Sequence, residues 1–135
     1  MARMLDGMEA LLRRRGGAAP AATLLGMRLA SFAPGEARVE LDASGAHGNP
    51  MGTVQGGILA AIADAAMGWA YMTTLGDGES YTTVEMKVNF LRAVRAGRIA
   101  ARGPCQERRA HARAHRVRRG GRKRQAGRAR RQHLQ

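Results

Sequence analysis

Between Gly56 and Leu75 the chain reads Gly-Gly-Ile-Leu-Ala-Ala-Ile-Ala-Asp-Ala-Ala-Met-Gly-Trp-Ala-Tyr-Met-Thr-Thr-Leu, and this stretch constrains the fold most. Ala60, Ala61, Ala63, Ala65 and Ala66 favour helix and give it a thin, close-packing surface. A helix over about residues 56–75 spans roughly 30 Å at 1.5 Å per residue. It is too apolar to stand in water and too small-sided to pack by itself, so it asks for a sheet wrapped around it. One residue breaks the pattern. Asp64 is the only charge between Asp42 and Asp77, and a carboxylate in such a helix is costly unless something satisfies or uses it. Ahead of the helix, His47 to Gln55 is a loop in which Gly52, and then Gly56 and Gly57, permit a sharp turn and close approach of a ligand.

The flanking segments supply strands. Residues 22–42 read as two strands, with Leu24, Met27, Leu29 and then Ala37, Val39, Leu41 in weak alternation about the turn Ala33-Pro34-Gly35-Glu36. Residues 79–94 alternate over a longer run: Tyr81, Thr83, Glu85, Lys87 and Asn89 share one parity, Thr82, Val84, Met86, Val88 and Phe90 the other. This predicts a half-buried strand. Arg95-Ala96-Gly97 turns the chain, and Arg98-Ile99-Ala100-Ala101 begins another strand. Near the N-terminus, Met4, Met8, Leu11 and Leu12 fall on one side of a helix over residues 4–14, ended by Gly16-Gly17. The order β-β-α-β-β is an α+β layout.

Charge divides the chain in two. Residues 103–135 hold 12 Lys/Arg against Glu107 alone, so +11; residues 1–102 keep 11 basic and 9 acidic residues, so +2. The expected domain is 1–103, with 104–135 an Arg-rich, low-complexity tail. After Gly103 the aliphatic residues are only Val117 and Leu134, too few to order a segment. Taken as it stands, the tail is a basic arm able to bind nucleic acid or another acidic surface through residues 108–131, without an aromatic residue to stack on a base. Cys105 is alone, so no intramolecular disulfide forms. His47, His111, His115 and His133 have no acidic or cysteine partners at ligand spacing. No apolar run approaches a membrane span and no secretory signal is read at the N-terminus, so the cytoplasm is expected.

The loop and helix resemble the hotdog-fold acyl-CoA thioesterases of the phenylacetic-acid-degradation, PaaI-type family. That family's pattern is His-x-Asn-x-x-Gly-x-x-His-Gly-Gly followed by an acidic helix residue. Here it reads His47, Asn49, Gly52, Gln55, Gly56, Gly57 and Asp64. Thr82 to Arg92, with Val94-Arg95-Ala96-Gly97, is similar to the family's next strand and turn. The resemblance covers about residues 20–103 and implies an antiparallel sheet around one central helix. It implies a homo-oligomeric hydrolase of acyl-CoA, aryl- or phenylacetyl-type esters included, with no cofactor and no metal. Catalytic parts then fall to four residues. The Gly56 N–H would hold the thioester oxygen, and Asp64, from the neighbouring subunit's helix, would be nucleophile or general base. Asn49 and Thr83 would orient water or thioester. Gln55, Gly57, Arg92 and Arg95 would bind substrate, the arginines through the phosphates of CoA.

Two departures stand out. Gln55 replaces the family His and cannot titrate near neutrality, which leaves a catalytically impaired hotdog protein as an alternative. After Gly103 the likeness stops where the family has two further strands, and Arg, Ala, Gly, Pro and His take over, the usual output of GC-rich DNA read out of frame. Plausible codons for Arg116 to Gln125, read one nucleotide later, give Glu-Ser-Asp-Glu-Glu-Gly-Gly-Asn-Val, a turn of the family's type. A frameshifted tail is therefore preferred to an evolved arm, because losing core strands conflicts with the rest of the fold. Ile58, Ile62 and Met67 would then be left poorly covered.

Overall fold

The computed structural model describes residues 19–76 and 79–105, together with Asp6 and Glu9. The expected N-terminal apolar stripe of Met4, Met8, Leu11 and Leu12 lies outside them, as does the tail beyond Cys105. The described chain runs α1 (Pro20–Leu25), β1 (Met27–Ala33), β2 (Glu36–Ala43), a 3-10 turn (Gly45–His47), α2 (Gly56–Met72) and β3 (Gly97–Pro104). The strands form one antiparallel sheet in the order β1-β2-β3.

Register explains the core. Met27 faces Leu41, Leu29 faces Val39, and across the other ladder Val39 faces Ala101 and Leu41 faces Ile99. These residues share one face, which packs on Ile62, Ala66 and Ala70 of α2. Leu41, Val39 and Ile62 are the largest fully buried side chains. The alanines let sheet and helix approach so closely that a Cβ at Gly103 would overlap the carbonyl of Ala66. The opposite face of the sheet is charged. Arg28 pairs with Glu40 (2.7 Å) and Asp42 (3.0 Å), Arg38 with Glu40 (2.9 Å) and Arg98 with Asp42 (3.1 Å). The Arg98 hydrogen bond first, helped by Arg28, holds the Asp42 carboxyl below its usual value. These exposed pairs each contribute little to stability, but they engage three arginines of the body.

Three expectations are corrected. Residues 22–25 are not strand: Pro20 begins a short helix and Gly26, at φ 71°, ends it in the left-handed conformation, the familiar Pro-start and Gly-stop pair. Ile62 is not poorly covered, being 2% exposed beneath the sheet. Residues 79–94 are not a half-buried strand. They run alongside α2, but among the described residues no strand is paired with them, and their backbone meets the rest where Val54 N–H donates to the Val94 carbonyl (2.7 Å). Without a ladder to enforce the pleat, the inward parity changes along the segment. Tyr81 and Thr83 face the helix at one end; Met86 and Val88 are half-buried further on, and Phe90 meets Gly56. Helix α2 itself stops at Met72, slightly earlier than expected. Buried Thr73 caps the end: its hydroxyl donates to the Ala70 carbonyl (2.6 Å) and accepts the Gly35 N–H (2.7 Å), tying the helix to the β1–β2 turn.

Candidate active site

Helix α2 has two working faces. Ile62, Ala66 and Ala70, four residues apart, look into the sheet. Gly56, Asp64 and Gly68, on another row of the same four-residue spacing, look toward residues 79–94. The segment runs antiparallel to the helix: the Phe90 ring lies over Gly56, Thr83 over Asp64 and Tyr81 over Gly68.

The loop before the helix is held by its own polar groups. Asn49 Oδ1 accepts the backbone N–H of Met51 (3.0 Å) and Thr53 (3.1 Å), and its amide donates to Thr53 Oγ1 (2.9 Å). This leaves one amide N–H for another acceptor. Gly52 turns at φ 74°. His47 is a clamp: Nδ1 accepts the Ser44 N–H (3.0 Å) and Nε2 lies 3.0 Å from the Leu25 carbonyl, consistent with an Nε2–H tautomer. It is a loop residue, as the sequence suggested. Gln55 N–H donates to the His47 carbonyl (2.9 Å), and its own carbonyl accepts from Ile58 (2.9 Å). The Gln55 side chain is exposed and makes no capping bond.

That arrangement presents the N–H groups of Gly56 and Gly57, the first two helical residues, without a backbone acceptor among the described residues. Free N–H groups at the positive end of a 17-residue helix can polarise a carbonyl oxygen. A cleft of about 320 Å³ opens here, lined by Val54, Gly56, Leu59 and Phe90 to Val94. Arg92 lies in its wall and Arg95 is exposed just beyond it. Two turns along the helix, Asp64 is half-buried and accepts a hydrogen bond from Thr83 Oγ1 at 2.8 Å on one oxygen, Oδ1.

Tyr81 and Phe90 were not singled out by sequence reasoning. Each ring occupies a notch left by a helix glycine: a Cβ at Gly56 would sit 3.1 Å from Phe90, and one at Gly68 would collide with the Tyr81 hydroxyl. The readable signal was Gly68, a glycine inside a helix, where it costs about 1 kcal/mol relative to alanine. Tyr81 also meets Tyr71 edge-on, with ring centroids 5.6 Å apart. Burial, with the Asp64 charge second, pushes its phenol pKa up. Among the described residues no cluster of three His, Cys, Asp or Glu could hold a metal ion, and no helix is long and apolar enough to cross a membrane.

A family model described as the thioesterase superfamily matches residues 51–122, which takes in the end of the loop from Met51, the helix, residues 79–94 and β3. The chain belongs to the thioesterase superfamily, a family of thioester hydrolases. The fold agrees. A phenylacetic acid degradation-related protein of Ralstonia eutropha JMP134 is 31% identical, with TM-score 0.62, over 70% of this chain and 74% of that one. A mutant of the phenylacetic acid degradation protein PaaI of Thermus thermophilus is 33% identical, TM-score 0.56, over 62% and 70%. A thioesterase family protein of Silicibacter pomeroyi reaches TM-score 0.64 at 26% identity, over 73% and 70%. No curated protein sequence matches. The α+β architecture, an antiparallel sheet on one long helix, is that of the hotdog thioesterases.

Proposed function

We propose that this thioesterase hydrolyses acyl-CoA esters at a site shared between two copies of the chain. The observation that carries this reading is a separation. Gly56 and Asp64 are 64 − 56 = 8 residues apart on one helix, about 12 Å along its axis. A single thioester carbonyl cannot meet both the N–H groups of Gly56 and Gly57 and the carboxylate of Asp64 from the same helix. A second copy brings its Asp64 to the first copy's helix start. The Gly56 N–H then stabilises the oxyanion, and Asp64 Oδ2, left free by Thr83, activates water or attacks the carbonyl itself. Asn49 shapes the loop that aims these N–H groups. Gln55 supports it through its backbone, and Gly57 leaves the approach open. Arg92 and Arg95 meet the phosphates of CoA at the cleft mouth. Relatives named for phenylacetic acid degradation make aryl- and phenylacetyl-type esters the first to try.

Thiol release from a panel of acyl- and aryl-CoA esters tests the reading. We expect turnover that is abolished in Asp64→Ala and that falls on dilution in step with dissociation seen by sedimentation. A folded dimer without turnover would overturn the hydrolase assignment; full activity in the monomer would overturn the shared site. Nucleic-acid binding has its support in the composition of residues 108–131.

A further inference from the structure

We propose that His47 is a positioning residue of the hydrolysis, which aims the Gly56 and Gly57 N–H groups by holding the loop before α2 in one place. The inference rests on the hydrolase reading above and adds the residue that fixes its oxyanion donors.

His47 is bound at both ends. Its half-buried ring reaches outside the loop: Nδ1 accepts the Ser44 N–H (3.0 Å) and Nε2 lies 3.0 Å from the Leu25 carbonyl. Leu25 is the last residue of α1, and the last carbonyls of a helix have no partner within it. The backbone of His47 reaches the other way, its carbonyl accepting the Gln55 N–H (2.9 Å). One residue therefore ties the end of α1 and the residue after β2 to the residue that caps α2.

This decides which donors the helix start offers. The N–H groups of Gln55, Gly56 and Gly57 follow one another where α2 begins. His47 takes the first, and the next two have no backbone acceptor among the described residues. Released from His47, the Gln55 N–H would compete for the incoming oxygen. The loop would then be held by the Gly48–Val54 bridge and the Asn49 turn alone. Oxyanion donors act by being aimed in advance, and a misplacement of about 1 Å can cost about a hundredfold.

The partners also fix the ring's hydrogen. A backbone N–H only donates and a carbonyl only accepts, so Nδ1 carries the lone pair and Nε2 the hydrogen. A second proton turns Nδ1 into a donor. Ser44 Oγ, 3.3 Å from Nδ1, can accept that hydrogen, but the Ser44 N–H then loses its acceptor and points at a cation. Among the described residues no charged side chain is bonded to the ring. The nearest acid along the chain, Asp42, is held by Arg28 and Arg98. Imidazoles change charge between about pH 5 and 8, so the clamp loosens toward the acid side of that range.

The experiment measures kcat and KM between about pH 5 and 8 with the fastest ester of the acyl- and aryl-CoA panel. It compares wild type with His47→Ala, His47→Asn and His47→Gln, each checked as a folded dimer by circular dichroism and sedimentation. At the upper pH, His47→Ala should lower kcat by about tenfold or more and change KM by less than about threefold, as misaimed donors would. His47→Asn places an oxygen where Nδ1 stands, keeps the Ser44 bond and should recover most of that loss. Asp64 titrates in both proteins, so it cancels in their ratio. The ratio of wild-type to His47→Asn kcat should therefore fall toward acid pH, since only the imidazole gains a proton. Where His47→Ala does not fold, His47→Gln serves: its amide reaches toward Leu25 but sets no acceptor before Ser44, and its kcat should lie well below that of His47→Asn. A histidine that only stabilises the fold would lower the melting temperature of His47→Ala and leave kcat of the folded dimer within about twofold. That result, equal kcat in His47→Gln and His47→Asn, or a ratio flat with pH overturns the inference and leaves the hydrolase assignment standing. A wild-type protein that hydrolyses none of the esters overturns both.

Discussion

Thr83 Oγ1 donates to Asp64 Oδ1 at 2.8 Å, joining residues 79–94 to the helix. This bond orients a carboxylate that lies in a row of apolar and small helix residues, and engages only one of its two oxygens. Asp64→Asn should reduce kcat by about a thousandfold, the scale of losing an essential base or nucleophile. Thr83→Val should cost about tenfold, roughly 1.4 kcal/mol of barrier, chiefly in kcat, while Thr83→Ser restores the wild-type rate. Thr83 is exposed, so stability should move by no more than about 0.5 kcal/mol. Equal losses in Thr83→Ser and Thr83→Val would show that the hydroxyl does not position Asp64.

The sequence made the centre of this protein readable and its rim less so. Helix α2 was legible because alanines and a glycine loop specify a start at Gly56 whatever surrounds them, and the β1–β2 turn because Pro34-Gly35 needs no distant partner. Strand β3 followed from its turn at Gly97. Residues 79–94 alternate like a strand, but strand pairing is made by a neighbour, and none is paired with them among the described residues. Helix α1 was missed although Pro20 and Gly26 bracket it, because Leu24 was read into an alternation; it is in fact 85% exposed. At the site, Asp64, Gly56 and Asn49 came from the motif. Tyr81 could not, since its role is a packing relation with Gly68.

Gln55 tests how far the family motif carries over. Its side chain is exposed, while its backbone holds the loop to His47 and starts the helix. Gln55→His should therefore keep or raise turnover. A loss of more than about tenfold, about 1.4 kcal/mol in barrier, would mean that the loop depends on the glutamine amide.

Tyr81 should also mark the alkaline limit of stability. Burial first, then the Asp64 carboxylate, raises its pKa above the phenol value of 10.0. The folded protein thus favours the neutral phenol. That contribution is whole below the unfolded value near 10 and is lost as pH rises through the higher folded value. The melting temperature should fall more steeply above pH 10 in the wild type than in Tyr81→Phe. Parallel curves would show that the phenol ionises without opposing the fold.

Gly103 reports on which reading frame the fold uses. A Cβ there would overlap the Ala66 carbonyl and Met67 N of the helix backbone, atoms that cannot step aside. Gly103→Ala should destabilise by about 3 kcal/mol, the upper end of overpacking, as a lowered urea midpoint. Gly45→Ala, with nothing within 4 Å, should stay within about 0.5 kcal/mol. A neutral Gly103→Ala would mean that β3 does not lie against α2 as described.

The last prediction concerns the DNA. The requirement for glycine at 103, and the Cys105 N–H bond to the Gly35 carbonyl (2.6 Å), place residues up to 105 within the folded pattern. Beyond them residues 106–135 hold 12 Lys/Arg against Glu107, so +11, with Val117 and Leu134 the aliphatic residues. Strand β3 pairs with β2 along one edge, and among the described residues no strand pairs with its other edge or with residues 79–94. We propose that these two open edges were filled by strands encoded in another frame, entered by one nucleotide gained or lost near the codons for Gly103 to Cys105. Resequencing the locus should reveal, in that frame, two segments of alternating apolar residues joined by a Gly-Asn-type turn. A chain carrying the restored segment should gain solubility and thermal stability over the present one, which exposes an edge and apolar residues such as Val84, Phe90 and Leu91. If neither alternative frame shows period-two alternation, the basic arm is the evolved sequence, and salt-dependent binding of random duplex becomes the experiment that decides what it does.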